Sequence, residues 1–244
     1  MMERVRVVVL AVALVAVLSG PAFAVPTLQL YIDGATYDTA TQTWEISSGT
    51  FDLWVLGNVG ADGPISNVKL SAAYFNSGDA GSLTLTPTTT MALADPSTPA
   101  TPLFLTSGTY PNAPIKGNGS PLAAHGIFND PSLNHWDVFA LGDFTLTDSP
   151  IGDYQYGVPT AFPSMGQINV YSVTVSGWTR VHFDAFDTTV QTNDKPHVEF
   201  APFSHDSGGN STPPIPEPGT ILLLGSGLAG LALRGWKKMG RFRA

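Results

Sequence analysis

Apolar and polar positions alternate along much of the chain, with a period of two residues. The run Leu28–Ile32 and the run at residues 51–56 both follow this pattern, and glycine, asparagine, aspartate or proline bounds each such run. Alternation of this kind predicts strands that bury one face. The predicted strands lie at residues 28–32, 43–46, 51–56, 67–72, 82–86, 103–105, 136–141, 144–146, 171–176, 180–185 and 198–200.

The number of short strands and the lack of a useful helical period before residue 87 indicate the fold class. We predict an all-β domain at residues 25–203, an antiparallel β-sandwich of the immunoglobulin-like or jelly-roll type. Residues 171–176 and 180–185 give the clearest alternation, separated by Gly177, and we expect them to be adjacent antiparallel strands.

The strand pattern stops between residues 87 and 131, where eight prolines fall. Because proline lacks an amide donor, this composition excludes a regular sheet interior. We expect long loops with one edge strand at residues 103–105. The segment is either a functional loop or a cover over one edge of the sandwich.

The N-terminal 24 residues have the three regions of a secretory signal peptide. Arg4 and Arg6 precede an unbroken apolar run at residues 7–18, and Ala22 and Ala24 supply the small residues that signal peptidase requires. Cleavage is therefore predicted before Val25. The alternative is an uncleaved N-terminal anchor, for which twelve apolar residues are a short span.

The C-terminal residues follow a fixed order of spacer, short motif, apolar segment and basic tail. Residues 204–215 are rich in Gly, Ser and Pro, which predicts a flexible spacer. The apolar residues 221–233 reach only about 20 Å as a helix, against a bilayer core of about 30 Å. Extended to residues 220–236, the segment is predicted to be a single transmembrane helix, with the basic tail in the cytoplasm and the β domain outside. The motif residues are Pro216, Glu217, Pro218, Gly219 and Thr220, and the membrane-flanking basic cluster is Arg234, Lys237, Lys238, Arg241 and Arg243.

Residues 216–244 resemble a PEP-CTERM sorting signal, in which this tripeptide precedes a short transmembrane stretch and basic residues. The resemblance implies a Gram-negative bacterium with an exosortase, a membrane-embedded cysteine protease that recognises the tripeptide and processes the chain. Exosortase and signal peptidase are thus the expected processing enzymes. It implies a transient inner-membrane anchor, then the cell envelope, outer surface or extracellular matrix, and a link to exopolysaccharide and biofilm. The basic tail is longer than the family's, and the alternative is a permanent membrane anchor.

Charge and residue types exclude several kinds of chemistry in the exported domain. Residues 25–216 hold four basic and seventeen acidic residues, a formal charge of −13, so we expect no nucleic-acid partner. The chain has no cysteine, which excludes disulfides and thiolate metal sites. Neither of the two glutamates within residues 25–216, at positions 45 and 199, lies in a recognisable motif, and no catalytic or cofactor-binding residue is predicted.

Two groups of aspartates leave open whether the domain has a structural calcium site. Oxygen-rich loops are suitable ligands for that ion, but aspartates are also common in turns. They are Asp143, Asp148 and Asp153, and Asp184, Asp187 and Asp194. The five histidines lack zinc spacing and are expected at the surface, with His182 on the outer face of a strand.

The β domain also resembles choice-of-anchor extracellular modules, through TLQLYIDGATYD near its start and VHFDAFD and HVEFAPFSHD near its end. That resemblance implies no activity. We expect a non-enzymatic surface or matrix protein that binds polysaccharide or another surface protein. Tyr110, Trp136, Tyr154 and Tyr156 are candidates for stacking on sugars, but for each of them we favour packing in the core or in loops. A secreted hydrolase remains the second functional class.

Overall fold

The computed structural model of the 244-residue chain describes residues 25, 27–75, 81–92, 96–122, 126–154 and 157–186, and the backbone of residues 189–190, 196–197 and 204–207. Strands dominate these residues, which confirms the predicted all-β class. The strands are β1 (Leu28–Ile32), β2 (Thr36–Asp38), β3 (Thr43–Ile46), β4 (Thr50–Gly57), β5 (Ile65–Phe75), β6 (Ser82–Thr89), β7 (Leu103–Gly108), β8 (Leu133–Phe144), β9 (Ser149–Ile151), β10 (Ser164–Ser176), β11 (Arg180–Phe186), β12 (Thr189–Val190), β13 (Pro196–His197) and β14 (Ser204–Ser207). The described helices are α1 (Val59–Asp62) and a 3-10 turn (Ile127–Asn129).

The strands form two large sheets and one small pair. The five-stranded sheet has the order β1-β4-β10-β6, with β9 also paired to β10. The seven-stranded sheet has the order β2-β3-β14-β11-β5-β8-β7, and β12 pairs with β13. Described pairings are antiparallel except that of β14 with β3, which is parallel.

One hydrophobic core receives side chains from both large sheets. Leu53 and Tyr171 of the five-stranded sheet and Leu70 and Phe183 of the seven-stranded sheet are fully buried in it. The rings of Phe51 and Phe183 meet edge to face, with centroids 6.2 Å apart. The period-two apolar positions thus supply one buried face on each sheet.

A second hydrophobic cluster lies on the opposite face of the seven-stranded sheet. Ala72 belongs to the shared core and Ala73 to the second cluster, since successive residues of a strand point to opposite faces. The segment between β7 and β8 contributes Leu122, Ile127 and Phe128 to this cluster. We call residues 109–132 the cover segment. The proline-rich region therefore covers a face of a sheet rather than an edge, and it includes the predicted edge strand as β7.

The strand predictions are accurate in position but less so in pairing. β1 and β3 have the predicted bounds, whereas residues 136–141 and 144–146 belong to one strand, β8. The predicted pairing of residues 171–176 with 180–185 is wrong, because β10 and β11 lie in different sheets. Both strands present an apolar face to the shared core from opposite sides, so their alternation is the same as in a hairpin.

The boundary between the domain and the spacer differs from the prediction. Residues 204–207, assigned from sequence to the spacer, form β14 between β3 and β11. The chain divides into units Met1–Ser211 and Thr212–Ala244. The predicted strand at 198–200, the signal peptide and the transmembrane helix at 220–236 lie outside the described residues. Where the chain is described, no helix has the length and apolar character needed to cross a bilayer.

Candidate functional site

A serine, an aspartate and a histidine lie together on the covered face of the seven-stranded sheet. Ser71 is directly opposite Asp184, and His182 is two residues along β11. Asp184 Oδ2 accepts a hydrogen bond from Ser71 Oγ at 3.4 Å and lies 3.5 Å from His182 Nε2. The aspartate therefore lies between the other two, whereas nucleophilic catalysis needs the histidine beside the serine. All three are at most 3% exposed, so the trio has no access for a substrate.

The prediction that His182 is a surface residue is wrong. The strand pattern correctly indicated the outer face of the sheet, but His182 is only 1% exposed. Alternation identifies which face a residue occupies and does not show whether another segment covers that face. His135 is half-buried and stacks on Tyr74 with centroids 4.5 Å apart. His125 and the side chains of His197 and His205 lie outside the described residues.

Arg180 connects the covered face to the cover segment. Its guanidinium carbon lies 3.6 Å from the ring centroid of Phe75, a cation–π contact, and its Nη2 lies 3.7 Å from Asp130 Oδ2. Asp130 follows the 3-10 turn and also accepts hydrogen bonds from the backbone N–H and the hydroxyl of Ser132. One buried cation thus holds the sheet and the cover together.

Buried amides form a second polar group at one end of the five-stranded sheet. Gln29 donates to Gly152 O at 3.0 Å and accepts from Tyr154 N–H at 2.8 Å. Gln167 Oε1 accepts from the N–H groups of Thr145 and Leu146, at 2.8 and 3.0 Å. These neutral side chains bind loop backbones and carry no proton-transfer chemistry, so we assign them a structural role. Their position inside the apolar runs LQLYI and QINV was the signal available in the sequence.

The described aspartates that were considered as calcium ligands contact different parts of the domain. Asp143 Oδ1 accepts from Asn67 N–H at 2.8 Å, and Asp184 contacts Ser71 and His182. Asp187 and Asp194 lie outside the described residues. Within the described part of the chain, no three acidic or histidine side chains come together in a way that would hold a metal ion.

The three candidate sugar-stacking aromatics that the structure describes do not form a common platform. Trp136 is buried and donates from Nε1 to Asn112 O at 2.9 Å, and Tyr154 is buried against Tyr31. Tyr110 is 44% exposed, and Tyr156 lies outside the described residues.

Burial gives several tyrosines unusual proton affinities. Burial, with the nearby Tyr31 and the Asp33 charge adding to it, raises the pKa of Tyr154 to about 12. Burial also raises the pKa of Tyr171 to about 12, against the opposing effect of a hydrogen bond from Asn169. The pKa of Tyr74 is raised further by burial and by the adjacent Asp137. These phenols stay protonated at physiological pH and act as packing groups.

The start of the predicted mature chain is held by the domain. Val25 O accepts a hydrogen bond from Asn58 Nδ2 at 3.0 Å, and the Val25 side chain packs against the shared core. Ala22 and Ala24, the predicted sorting motif at residues 216–220 and the predicted basic cluster at residues 234–243 lie outside the described residues.

Comparison with known families identifies the C-terminal residues. The description "PEP-CTERM protein-sorting motif" matches residues 214–238. This chain carries a PEP-CTERM sorting motif. The match covers the Pro216–Glu217–Pro218 tripeptide and the apolar segment, and it ends within the basic tail. A PEP-CTERM motif implies export, membrane-associated sorting in Gram-negative bacteria and processing by an exosortase.

The remaining comparisons leave the β domain unassigned. No curated protein matches the sequence. A solved structure titled "AvmM Catalyzes Macrocyclization in Alchivemycin A Biosynthesis" is similar at 11% identity and a TM-score of 0.32, covering 80% of this chain and 96% of that one. A likeness of this size carries no functional argument.

Proposed function

We propose that this chain is a non-enzymatic protein of the cell surface or extracellular matrix, delivered by an exosortase. The sorting motif at residues 214–238 is the observation that carries the proposal. It follows a β domain that has its own core, and it comes at the opposite end of the chain from the predicted signal peptide. This order suits a cargo that is exported, held briefly at the inner membrane and then released.

The non-enzymatic role is supported by how the described polar side chains are used. Gln29, Gln167 and Arg180 each bind a neighbouring segment of the same domain. The grouped Ser71, His182 and Asp184 are buried and stand in an order unsuited to a nucleophilic triad. These polar side chains therefore make contacts within the domain that support a structural role for each of them.

We infer that the two large sheets form a β-sandwich, since both contribute to one core. A role in exopolysaccharide or biofilm production is consistent with an acidic exported domain that carries this sorting motif. The rival functions are a permanently anchored carbohydrate-binding protein and a secreted hydrolase. Release of reducing sugar from a bound polymer would favour the hydrolase over the role proposed.

The sorting step is tested by mass spectrometry of the C-terminus from hosts with and without the exosortase. In the host with the enzyme, we expect loss of the residues that end in Ala244. Without it, we expect the chain to keep them. An intact C-terminus in both hosts would instead support a permanent anchor.

Two proline variants make the test specific to the motif. Pro218→Ala changes the tripeptide, and we expect it to block processing. Pro213→Ala lies one residue outside the matched range and serves as the control, which we expect to be processed normally. Equal processing of both variants would contradict recognition of the tripeptide.

A further inference from the structure

The tip of a hairpin in the cover segment carries the single Asn-Gly pair of the sequence, Asn118 and Gly119. Lys116 N–H donates to Ser120 O, and Gly119 N–H donates to Lys116 O, each at 2.9 Å. Asn118 and Gly119 lie at the exposed end of this loop. An Asn-Gly pair has a reaction of its own, because the side-chain carbonyl carbon of asparagine and the next backbone nitrogen can close a five-membered ring.

The nitrogen that closes the ring is accessible. Gly119 has a φ of +80°, and apart from its chain neighbours no described atom lies within 4 Å of the place that a Cβ would take. Glycine adopts this left-handed conformation without strain and brings no side chain to shield its nitrogen. Every other asparagine of the sequence precedes a residue with a side chain; Asn112, for example, is exposed in the same segment but precedes Ala113. Asn118 is therefore the asparagine most open to ring closure.

The carbonyl group that is attacked is polarised by a neighbouring serine. Asn118 Oδ1 accepts hydrogen bonds from the backbone N–H of Ser120 at 3.0 Å and from its hydroxyl at 2.6 Å. Attack at Cγ turns this oxygen into an oxyanion, and hydrogen bonds to a charged acceptor are stronger than those to a neutral one. The two donors therefore stabilise the transition state more than the ground state, as the donors of an oxyanion hole do.

The reaction uses water as its co-reactant. The Gly119 nitrogen forms a bond to Asn118 Cγ, the Cγ–Nδ2 bond breaks, and Nδ2 leaves as ammonia with the proton from Gly119. The product is a cyclic succinimide. Water then opens the ring at Cγ to give aspartate, or at the backbone carbonyl to give isoaspartate. One water is consumed, one ammonia is released, and no atom is oxidised or reduced.

Ring closure requires the hairpin tip to open. The imide nitrogen carries no hydrogen, so the hydrogen bond from Gly119 to Lys116 O is lost in the succinimide. Because the tip is exposed, water can satisfy that carbonyl, and the opening stays local. Aspartate at position 118 keeps an acceptor for Ser120 and adds a negative charge, whereas isoaspartate inserts an extra carbon into the main chain of the loop.

We propose that Asn118 is a site of spontaneous modification in the folded protein. Cyclisation onto Gly119 and hydrolysis convert it to aspartate and isoaspartate, and the two Ser120 donors promote the first step. The reaction needs no enzyme and does not depend on the sorting motif.

Incubation of the full chain in water labelled with the heavy oxygen isotope tests the proposal. The chain is made in a host without the exosortase, kept folded at neutral pH and then digested in ordinary water, so that only conversion during the incubation carries the label. Mass spectrometry of the peptides locates it, and chromatography against reference peptides separates aspartate from isoaspartate. We expect both labelled products to accumulate at residue 118. Asn112 is the internal control, exposed in the same segment, and should remain an amide.

Serine variants test the part that the hydroxyl donor plays. Ser120→Ala should slow the uptake of label at residue 118 by about fivefold, the factor that corresponds to the loss of one hydrogen bond. Ser120→Thr keeps the hydroxyl and should restore the rate. Ser132→Ala is the matched control, because Ser132 donates through its N–H and hydroxyl to Asp130 Oδ1 in the same way, at 2.8 and 2.7 Å, and its loss should leave the rate unchanged. Circular dichroism verifies that each variant is folded.

The proposal would be overturned by uptake of label at residue 118 that is no faster than at Asn112. It would also be overturned if label entered only after the chain was unfolded in urea, since the reaction would then not belong to the folded protein. A rate that is unchanged or increased in Ser120→Ala would exclude promotion by the hydroxyl and with it the proposed first step.

Discussion

Gln167 shows how single buried side chains hold the loops of this domain. It is 6% exposed, and its carbonyl oxygen accepts from two consecutive backbone N–H groups, those of Thr145 and Leu146. Its amide nitrogen donates to Asn169 Oδ1 at 2.9 Å. The strand β10 is thereby tied to the turn that follows β8.

We predict that Gln167→Leu destabilises the domain by about 1–3 kcal/mol, because two backbone donors lose their acceptor in a partly buried site. Urea unfolding followed by tryptophan fluorescence measures the change. Thr174→Ala, at an exposed position of the same strand, is the control and should have little effect. An unchanged unfolding midpoint for Gln167→Leu would mean that water replaces the amide without cost.

At the residue level, sequence patterns predicted types of environment better than individual contacts. The apolar positions within β1 and within β4 were each predicted to form one buried face, and Leu30, Leu53 and Val55 lie in the core. Burial of His182 was not predictable in the same way. It depends on the cover segment, which is close in space. The alternation within one strand does not show which other segments pack against it.

The short strand β14 has a central position in the seven-stranded sheet, although its composition does not indicate a strand. Residues 204–207 are polar, yet the strand lies between β3 and β11 inside the seven-stranded sheet. Four of its residues pair with β3 and three with β11. The two strands that it joins are otherwise unconnected in the order of this sheet.

We predict that a chain ending at residue 203 is less stable than one ending at residue 211 by at least about 2 kcal/mol, because both ladders of β14 are lost. Ending the chain at 211 retains β14 and removes the second unit. Urea unfolding of the two truncated chains provides the comparison. Equal stabilities would show that β14 contributes little to the sheet.

At the level of elements, strand positions followed from the sequence while strand neighbours did not. Alternating runs with turn residues at both ends gave β1, β3 and β4 almost without error. The connection from β10 to β11 through Gly177 was interpreted as a hairpin, but it crosses from one sheet to the other. Local alternation is satisfied equally by either arrangement, and only the shared core distinguishes them.

At the scale of the whole molecule, the sorting residues were the most predictable part and the exposed surfaces of the domain the least. The tripeptide, apolar segment and basic tail are contiguous, so one stretch of sequence contains the entire signal, and residues 214–238 match the motif. A binding surface is assembled from distant segments. The exposed apolar edge β7 became recognisable only when the strand order placed β8 on one side of it and no described strand on the other.

The shared core also predicts how the domain responds to alkali. The pKa values of Tyr154 and Tyr171 rise from 10.0 in an exposed tyrosine to about 12 in the folded domain. Between pH 10 and 12 the unfolded chain loses these protons first, so the free energy of unfolding falls as the pH rises. Below pH 10 both states are protonated at these groups, and their contribution is constant.

We predict that Tyr154→Phe makes this fall less steep, and that adding Tyr171→Phe flattens it further, because each change removes one proton from the linkage. Denaturant unfolding in steps through that window measures the slopes, and the same measurement at neutral pH gives the cost of losing each hydroxyl. All other ionisable groups are the same in the three proteins and cancel in the comparison. If the slopes of all three proteins coincide, alkali acts through other groups, and burial of these two phenols does not set the alkaline limit of the domain.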